Sequence, residues 1–354
     1  MRKNQTLTDR VLEKANIWKA VKKVTMNAGS AGVDGMTTDE VMFEIAKNYN
    51  TICRKIRRKQ FAPMLLREVH IPKGAGGERV IGVPTVIDRV LQQAVAQILY
   101  PLYTKEFSPN SYGYRNGMGA HDAIRGCLKY ANQGLTQAVH LDIEDCFSSI
   151  DRSLLFSILR KKVDDPVLNS LIEKMCAAQY LYHGKIRTAE AGIPMGSPLS
   201  PLLCNIVLNE FDRYMQERGI AFVRYADDIL ILCADRNRAT IAKSEAEGFL
   251  QNRLHFRTNS RKTSVAHISK VRYLGFGFRR TVFGIRACVH PDSKKSHLKK
   301  LAKIACSGKA GDAAAAAKNC VKGWRSYYNP GTINRKFFPA QAGKNTKKQL
   351  DNCA

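Results

Sequence analysis

Acidic residues are scarce in this 354-residue sequence: 30 Asp and Glu face 57 Lys and Arg, for a formal charge of +27 and an isoelectric point near 9.8. A surplus of that size repels itself in the isolated chain and argues against a generic soluble metabolic enzyme. It calls for a polyanion, and nucleic acid is the commonest one that also releases counterions on binding. An anionic membrane surface is the plain competitor. Long apolar runs are also missing. None approaches the roughly 18 residues of a membrane span, and Met1-Arg2-Lys3-Asn4-Gln5 leads into polar residues rather than a signal-peptide core. The expectation is a chain that stays in a reducing cytoplasm with no membrane partner. The ten cysteines never fall closer than fourteen residues apart, so no Cys-x-x-Cys ligand pair exists. Most are read as small core residues, and any metal must be held by oxygen. What is present excludes disorder throughout, because 44% hydrophobic residues suffice for packed cores over two or three subdomains.

Residues 7–26 have broadly helical spacing of Leu12, Ile17, Ala20, Val21 and Val24, ended by glycines up to Gly35. The basic run Arg54, Lys55, Arg57, Arg58 and Lys59 reads as a solvated helix face. Val69 to Pro72 and Arg79 to Pro84, around a glycine-rich turn, read as a hairpin with cationic flanks. No Gly-Lys-Ser/Thr follows that turn, so it is not a P-loop. A helix is expected over Val86–Tyr103, a buried strand over 138–143 with a carboxylate near its end, and a packed helix over Leu202–Met215 behind a loop of turn formers at Gly192–Pro201. The apolar strands 220–224 and 229–232 flank Tyr225-Ala226-Asp227-Asp228. This order suggests an α+β fold, with helices packed on an antiparallel sheet. From Arg286 onward 15 Lys and Arg face 3 Asp. That segment is expected to form a small basic helical module, with a first helix that is greasy on one side and cationic on the other and a second that reaches Trp324, Tyr327 and Tyr328.

Two adjacent aspartates between greasy strands repel each other, and burial would raise their pKa values unless a cation intervenes. Mg2+ prefers oxygen ligands, usually one or two carboxylates plus substrate phosphates. Asp227 and the strand-end Asp142 are therefore candidates to hold ions between the protein and a triphosphate. In a two-metal phosphoryl transfer, one ion activates a primer 3′-hydroxyl and the other stabilises the leaving pyrophosphate.

The segment Phe222 to Leu230 resembles the catalytic box of reverse transcriptases in the form typical of bacterial group II intron proteins. Further blocks resemble the same family in the same order: Ala31–Gly35, Ile71–Arg89, Ser111–Arg115, Val139–Phe147, Gly192–Pro201, Asn259–Thr263, Val271–Phe276 and Gly323–Asn329. The likeness covers about residues 30–330. It implies a right-hand polymerase fold: N-terminal extension and fingers in 1–135, palm in 136–284 with part of the fingers between its motifs, a basic helical thumb in 285–335 and a tail in 336–354. It implies an RNA-directed DNA polymerase in the bacterial cytoplasm, working on an RNA template of a cognate structured RNA, with a DNA or RNA primer, deoxynucleoside triphosphates and two Mg2+ ions, for which Mn2+ can substitute. The sequence names no accessory protein.

By that resemblance, Asp142, Asp227 and Asp228 are the catalytic carboxylates. Asp142, Asp227 and the backbone of Ile143 lie at the metal, whereas Glu144 and Asp145 are ordinary surface acids. Lys73, Arg79 and Lys262 attend the nucleotide. Phe147 excludes a 2′-hydroxyl by bulk, and Gly196 lets backbone approach the template-primer pair. Arg115, Tyr225, Tyr273, Leu274 and Gly275 contact primer or template. Met195 stands where most members carry glutamine, which implies relaxed nucleotide selection. The competing readings are an error-prone reverse transcriptase of a diversity-generating or phage-defence system, and a maturase-like RNA-binding protein assisting splicing. With little sequence after the thumb and no metal-finger spacing, autonomous DNA cleavage is not expected.

Overall fold

The computed structural model describes residues 5–72, 77–260, 263–306 and 310–329. The N-terminal helical stretch is broken in two: α1 (Leu7–Leu12) and α2 (Lys14–Met26) are separated by Glu13 in extended conformation. Helix α3 (Val41–Arg57) buries Val41, Ile45, Cys53 and Ile56 on one face, which leaves its Arg54, Lys55 and Arg57 in solvent as expected for a charged face. Strands β1 (Leu66–Pro72) and β2 (Glu78–Val83) form the anticipated hairpin, with Ile71 opposite Arg79. Thr85 caps α4 (Val86–Tyr103) by accepting from the Asp88 amide.

The chain then runs through α5 (Ala120–Asn132), β3 (Gln137–Asp142), α6 (Cys146–Ser149), α7 (Arg152–Arg160) and α8 (Pro166–Cys176). Two short strands, β4 (Tyr180–Tyr182) and β5 (Lys185–Arg187), join the first hairpin in a four-stranded sheet of order β2-β1-β4-β5. Next come α9 (Ser200–Glu217), the hairpin β6 (Ala221–Tyr225) and β7 (Asp228–Cys233), α10 (Arg236–Leu254) and β8 (Ser264–His267). A separate two-stranded hairpin, β9 (Phe276–Thr281) and β10 (Gly284–Val289), leads into α11 (Pro291–Ala305) and α12 (Ala310–Tyr327).

The second four-stranded sheet, of order β6-β7-β3-β8, is antiparallel throughout and covered on both faces. Val139, Leu141, Phe222, Ile229 and Ile231 belong to the core shared with α9 and α10. Ala138, Val223, Leu230 and Leu232 belong to a second core, with α5 and the β9–β10 hairpin. Two-sided burial explains why β7 reads as an unbroken apolar run: every residue from Ile229 to Cys233 is buried, at roughly 1.5–3 kcal/mol for each large side chain. The result is the α+β arrangement of a right-hand polymerase.

Six cysteines, Cys53, Cys127, Cys146, Cys176, Cys204 and Cys233, are buried as small core residues, whereas Cys306 is exposed. Helix α11 departs from the expected two-sided pattern. Its only buried residue is Ser293, and Leu298 remains 63% exposed because α11 leans on α12 rather than on the main core. Trp324 is half-buried and stacks on His297 at 4.7 Å. Among the described residues, no helix is long and apolar enough to cross a membrane.

Asp88, on the first turn of α4, is only 2% exposed. Its Oδ2 accepts from Thr85 Oγ1 at 2.8 Å and from the Met64 amide at 3.0 Å. Burial pushes its carboxyl up to about 6 against these two hydrogen bonds. A folded pKa above the unfolded value means that the native state holds the proton more tightly. The associated stability is therefore full below about pH 4 and is lost as pH rises through about 6. Asp88→Asn keeps an acceptor and removes the ionisation. Thermal melts from pH 4 to 8 are expected to show the variant losing this pH dependence and gaining up to about 3 kcal/mol over wild type above pH 7; equal slopes for the two proteins would contradict it.

Candidate active site

The hairpin β6–β7 closes with Tyr225 paired to Asp228, leaving Ala226 and Asp227 as a two-residue turn. Ala226 has φ +59, and Asp227 is not among the residues with positive φ. That combination is the type II′ pattern, which normally takes glycine at its first central position. An alanine there is strained, so the surrounding structure must hold it. On the other side of β7, Asp142 at the end of β3 lies in register with Asp228, so three carboxylates come from two adjacent strands and one turn.

They do not share one environment. Asp142 and Asp227 line a cavity of about 800 Å3 together with Ile143, Arg79, Phe147, Met195 and Gly196. Burial pushes the Asp227 carboxyl above the ordinary carboxylate value; the charges of Asp228 and Asp142 add to this, and Arg79 opposes it. Asp228 is instead engaged by His140 Nε2 at 2.6 Å, two residues before Asp142 on β3. Its backbone carbonyl accepts from Tyr273 Oη at 3.1 Å.

The expected nucleotide-contacting residues are largely brought together. Phe147 is buried and meets Tyr114 edge-to-face at 6.2 Å. Met195 is half-buried against the main core, and its carbonyl accepts from the Gly82 amide at 2.8 Å, which ties the loop before α9 to β2. Gly196 has φ +112, and a Cβ there would lie 2.6 Å from the Gly82 carbonyl. The close approach seen at this glycine is to the β1–β2 hairpin. Glu144 and Asp145 are exposed, as surface acids should be, but they lie on the cavity rim. Lys73 and Lys262 fall outside the described residues.

The primer and template candidates are not among the residues that line the cavity. Arg115 donates to the Ser108 and Ser111 carbonyls at 2.6 and 2.9 Å and sits over the Phe107 ring, so it braces its own loop. Tyr273 is fully buried behind the acidic turn, while Tyr225 is half-exposed. Leu274 (φ +49) and Gly275 (φ +82) form a tight turn, whose Leu274 carbonyl accepts from Tyr327 Oη at 2.9 Å. Sequence reasoning gave no role to His140, Arg224 or Tyr114. Tyr114 lines the cavity from a left-handed backbone (φ +57), and no sequence signal marks that conformation.

Among the described residues, no three His, Cys, Asp or Glu side chains gather into a preformed metal cage. Asp142 and Asp227 are an incomplete oxygen set, and a hard divalent cation completes such a set with water and substrate oxygens. Ile143 pairs with Thr258 in a bridge whose flanking bonds use Glu144 N and the Asp142 carbonyl, not the Ile143 carbonyl. The donors present therefore fit a metal of that kind.

A carboxylate-bearing turn beside a strand-end aspartate, with Arg79 of the β1–β2 hairpin lining the same cavity, is the arrangement of a template-directed polymerase. Residues 71–278 match the family described as reverse transcriptase (RNA-dependent DNA polymerase), and the chain belongs to that family. Its members use divalent metal ions and act with RNA templates and primers. The chain is 28% identical to protein YkfC of Escherichia coli over 70% of its own length and 76% of that protein. It is 31% identical to the group II intron-encoded protein LtrA of Lactococcus lactis over 56% of its length and 32% of that protein, so it spans about a third of this longer relative. A solved structure titled partial Cas6-RT-Cas1--Cas2 complex has a TM-score of 0.45 at 26% identity, covering 70% of this chain and 43% of that one.

The His140 contact generates a test. A hydrogen bond to a charged group contributes about 1.5–3 kcal/mol. His140→Phe, which keeps a ring but has no donor, is expected to slow single-nucleotide extension about tenfold or more, and His140→Gln to slow it less. Equal rates for wild type and His140→Phe would show that Asp228 needs no such partner.

Proposed function

We propose that this protein extends a DNA or RNA primer on an RNA template by two-metal nucleotidyl transfer from deoxynucleoside triphosphates, acting with a cognate structured RNA of a group II intron-like retroelement. The observation that carries the reading is the shared cavity, lined together by Asp142, Asp227, Arg79 and Phe147. Residues 1–135 act as extension and fingers, 136–284 as palm, 285–335 as thumb and 336–354 as a tail. Asp142 and Asp227, with the Ile143 carbonyl, hold Mg2+ at the primer terminus. Such ions, when bound, lower the pKa of the primer 3′-hydroxyl and neutralise the departing pyrophosphate. Asp228 supports the pair from its contact with His140. Arg79 grips the triphosphate with a forked guanidinium, helped by Lys73 and Lys262. Phe147 closes the floor beneath the sugar against a 2′-hydroxyl. Tyr225, Leu274, Gly275 and Arg115 shape the track of primer and template, with Tyr273 fixing the turn behind them.

Asp227→Asn is expected to reduce Mg2+-dependent extension of an RNA-templated primer at least about a hundredfold while RNA binding persists. EDTA should abolish extension by wild type. Parallel loss of RNA binding would instead favour a maturase-like binding protein, and equal use of ribonucleotides by wild type would remove the role given to Phe147.

A second reading, an error-prone enzyme of a diversity-generating or phage-defence system, draws support from Met195. Its thioether presents a wall to the cavity without the hydrogen bonds of glutamine. Met195→Gln is expected to lower misincorporation several-fold in primer extension with unbalanced triphosphates, since a regained hydrogen bond contributes about 0.5–1.5 kcal/mol, roughly 2- to 10-fold. Unchanged error rates would remove this reading.

A further inference from the structure

The strand that enters the acidic turn carries the largest fully buried side chain among the described residues, Arg224, at 0% exposure. Its partner Asp212 on α9 is equally buried. Arg224 Nε donates to Asp212 Oδ1 at 2.7 Å and Nη2 to Asp212 Oδ2 at 2.6 Å, a bidentate pair. Its Nη1 reaches Asn205 Oδ1, also on α9, and the carbonyl of Ala226, both at 2.9 Å.

A buried ion pair is a weak source of net stability, because desolvation offsets much of the attraction and well-packed apolar residues often do as well. The geometry of this one gives it another use. The guanidinium is planar and rigid, so fixing two of its nitrogens on Asp212 fixes the direction of the third. That third nitrogen holds the carbonyl of the strained, left-handed Ala226, directly before Asp227. The surroundings repeat the constraint. Asn205 Nδ2 donates to the Gly113 carbonyl at 2.9 Å, and a Cβ on Gly113 would lie 2.3 Å from the Ala226 nitrogen, so the 110–113 segment presses against the turn from outside. The Arg224 amide and carbonyl are themselves bonded to Asn110 O and Tyr112 N, each at 2.8 Å.

We propose that Arg224, seated on Asp212 and Asn205 of α9, is a positioning residue that holds Ala226 in its left-handed conformation and thereby aims the Asp227 carboxylate into the cavity. Arg224 touches neither substrate nor metal; it acts through the turn. The catalytic consequence rests on the role given to Asp227 above, whereas the conformational consequence does not.

The test is the double variant Arg224→Met/Asp212→Leu, which removes both charges together, leaves neither unpaired and keeps side-chain bulk. It is expected to melt cooperatively with native circular dichroism. Amide hydrogen exchange across residues 221–230, measured without metal, should be at least about tenfold faster than in wild type. In primer extension kcat should fall at least about tenfold at saturating triphosphate, with KM within about twofold. Arg224→Lys keeps a charge opposite Asp212 but lacks the fork; it should move exchange and kcat in the same direction, and it decides the matter on the same two readouts if the double variant does not fold. Wild-type exchange and kcat in a folded variant would overturn the proposal, since the pair would then serve the core alone. A raised KM with unchanged exchange would overturn it too. If the wild-type protein extends no primer, the assigned function fails, while the exchange measurement still decides whether Arg224 holds the turn.

Discussion

The register between β3 and β7 is the constraint on which the candidate site depends. It sets Asp142 opposite Asp228, and with them the turn residue Asp227. A slip of one residue would exchange the faces of β3, turning His140 and Asp142 toward the core that now takes Val139 and Leu141. Both faces of the sheet are apolar and covered, so neither offers a solvated alternative for a carboxylate. The apolar residues that make the sheet look featureless in sequence therefore fix the chemistry at its end. The same register creates a conflict, because Asp142 and Asp228 face each other with like charge. His140 relieves part of it by drawing Asp228 aside at 2.6 Å. Asp142 and Asp227 line the same cavity as Arg79.

Much of this arrangement was legible before any coordinates. Helix α4 spans the segment its apolar face indicated, and the hairpin β6–β7 lies where two greasy runs bracket the acidic turn. Both were readable because side-chain period and turn chemistry are local properties. Helix α10 was not anticipated, for a physical reason: its buried face is Ala239, Ala242 and Ala246 before Leu250 and Leu254, so close packing on the sheet relies on small residues that carry little hydrophobic signal. The split between α1 and α2 was hidden as well, since Glu13 is an acceptable helix residue and only tertiary packing sets its extended conformation. At the site, the resemblance already set Asp142 and Asp227 at the metal with Asp228 beside them, but it gave no sign of the histidine that holds Asp228. Whether Asp228 faces a cavity or a histidine depends on a contact across two strands, which no spacing encodes.

The excess positive charge has a structural counterpart. Arg54, Lys55 and Arg57 on α3, and Lys294, Lys295, Lys299, Lys300 and Lys303 on α11, are all solvent-exposed. They lie on helices outside the main sheet, while the fully buried ion pair of the interior, Arg224 with Asp212, is matched within itself. Cations displayed on peripheral helices cost little desolvation and remain available to a polyanion, and their attraction must weaken with salt. The anionic cavity is the opposite case. A bare nucleic-acid backbone would be repelled by Asp142 and Asp227, and the divalent cation proposed there would make the basic exterior and acidic centre compatible with a single phosphate-rich ligand.

The placement of glycine and alanine around the turn supports the same division between rigid and open parts. Gly113 and Gly196 stand where a Cβ would strike backbone, at 2.3 Å from Ala226 N and 2.6 Å from Gly82 O. Ala226, in contrast, occupies a left-handed position where glycine would be unstrained. Glycine at 226 would lower the local strain but widen the set of conformations open to the turn. Alanine, with its carbonyl fixed by Arg224, narrows that set, and the strain is sustained by a network buried on every side. In the role proposed for Asp227, at a metal and a primer end, that restriction serves the carboxylate better than a relaxed backbone.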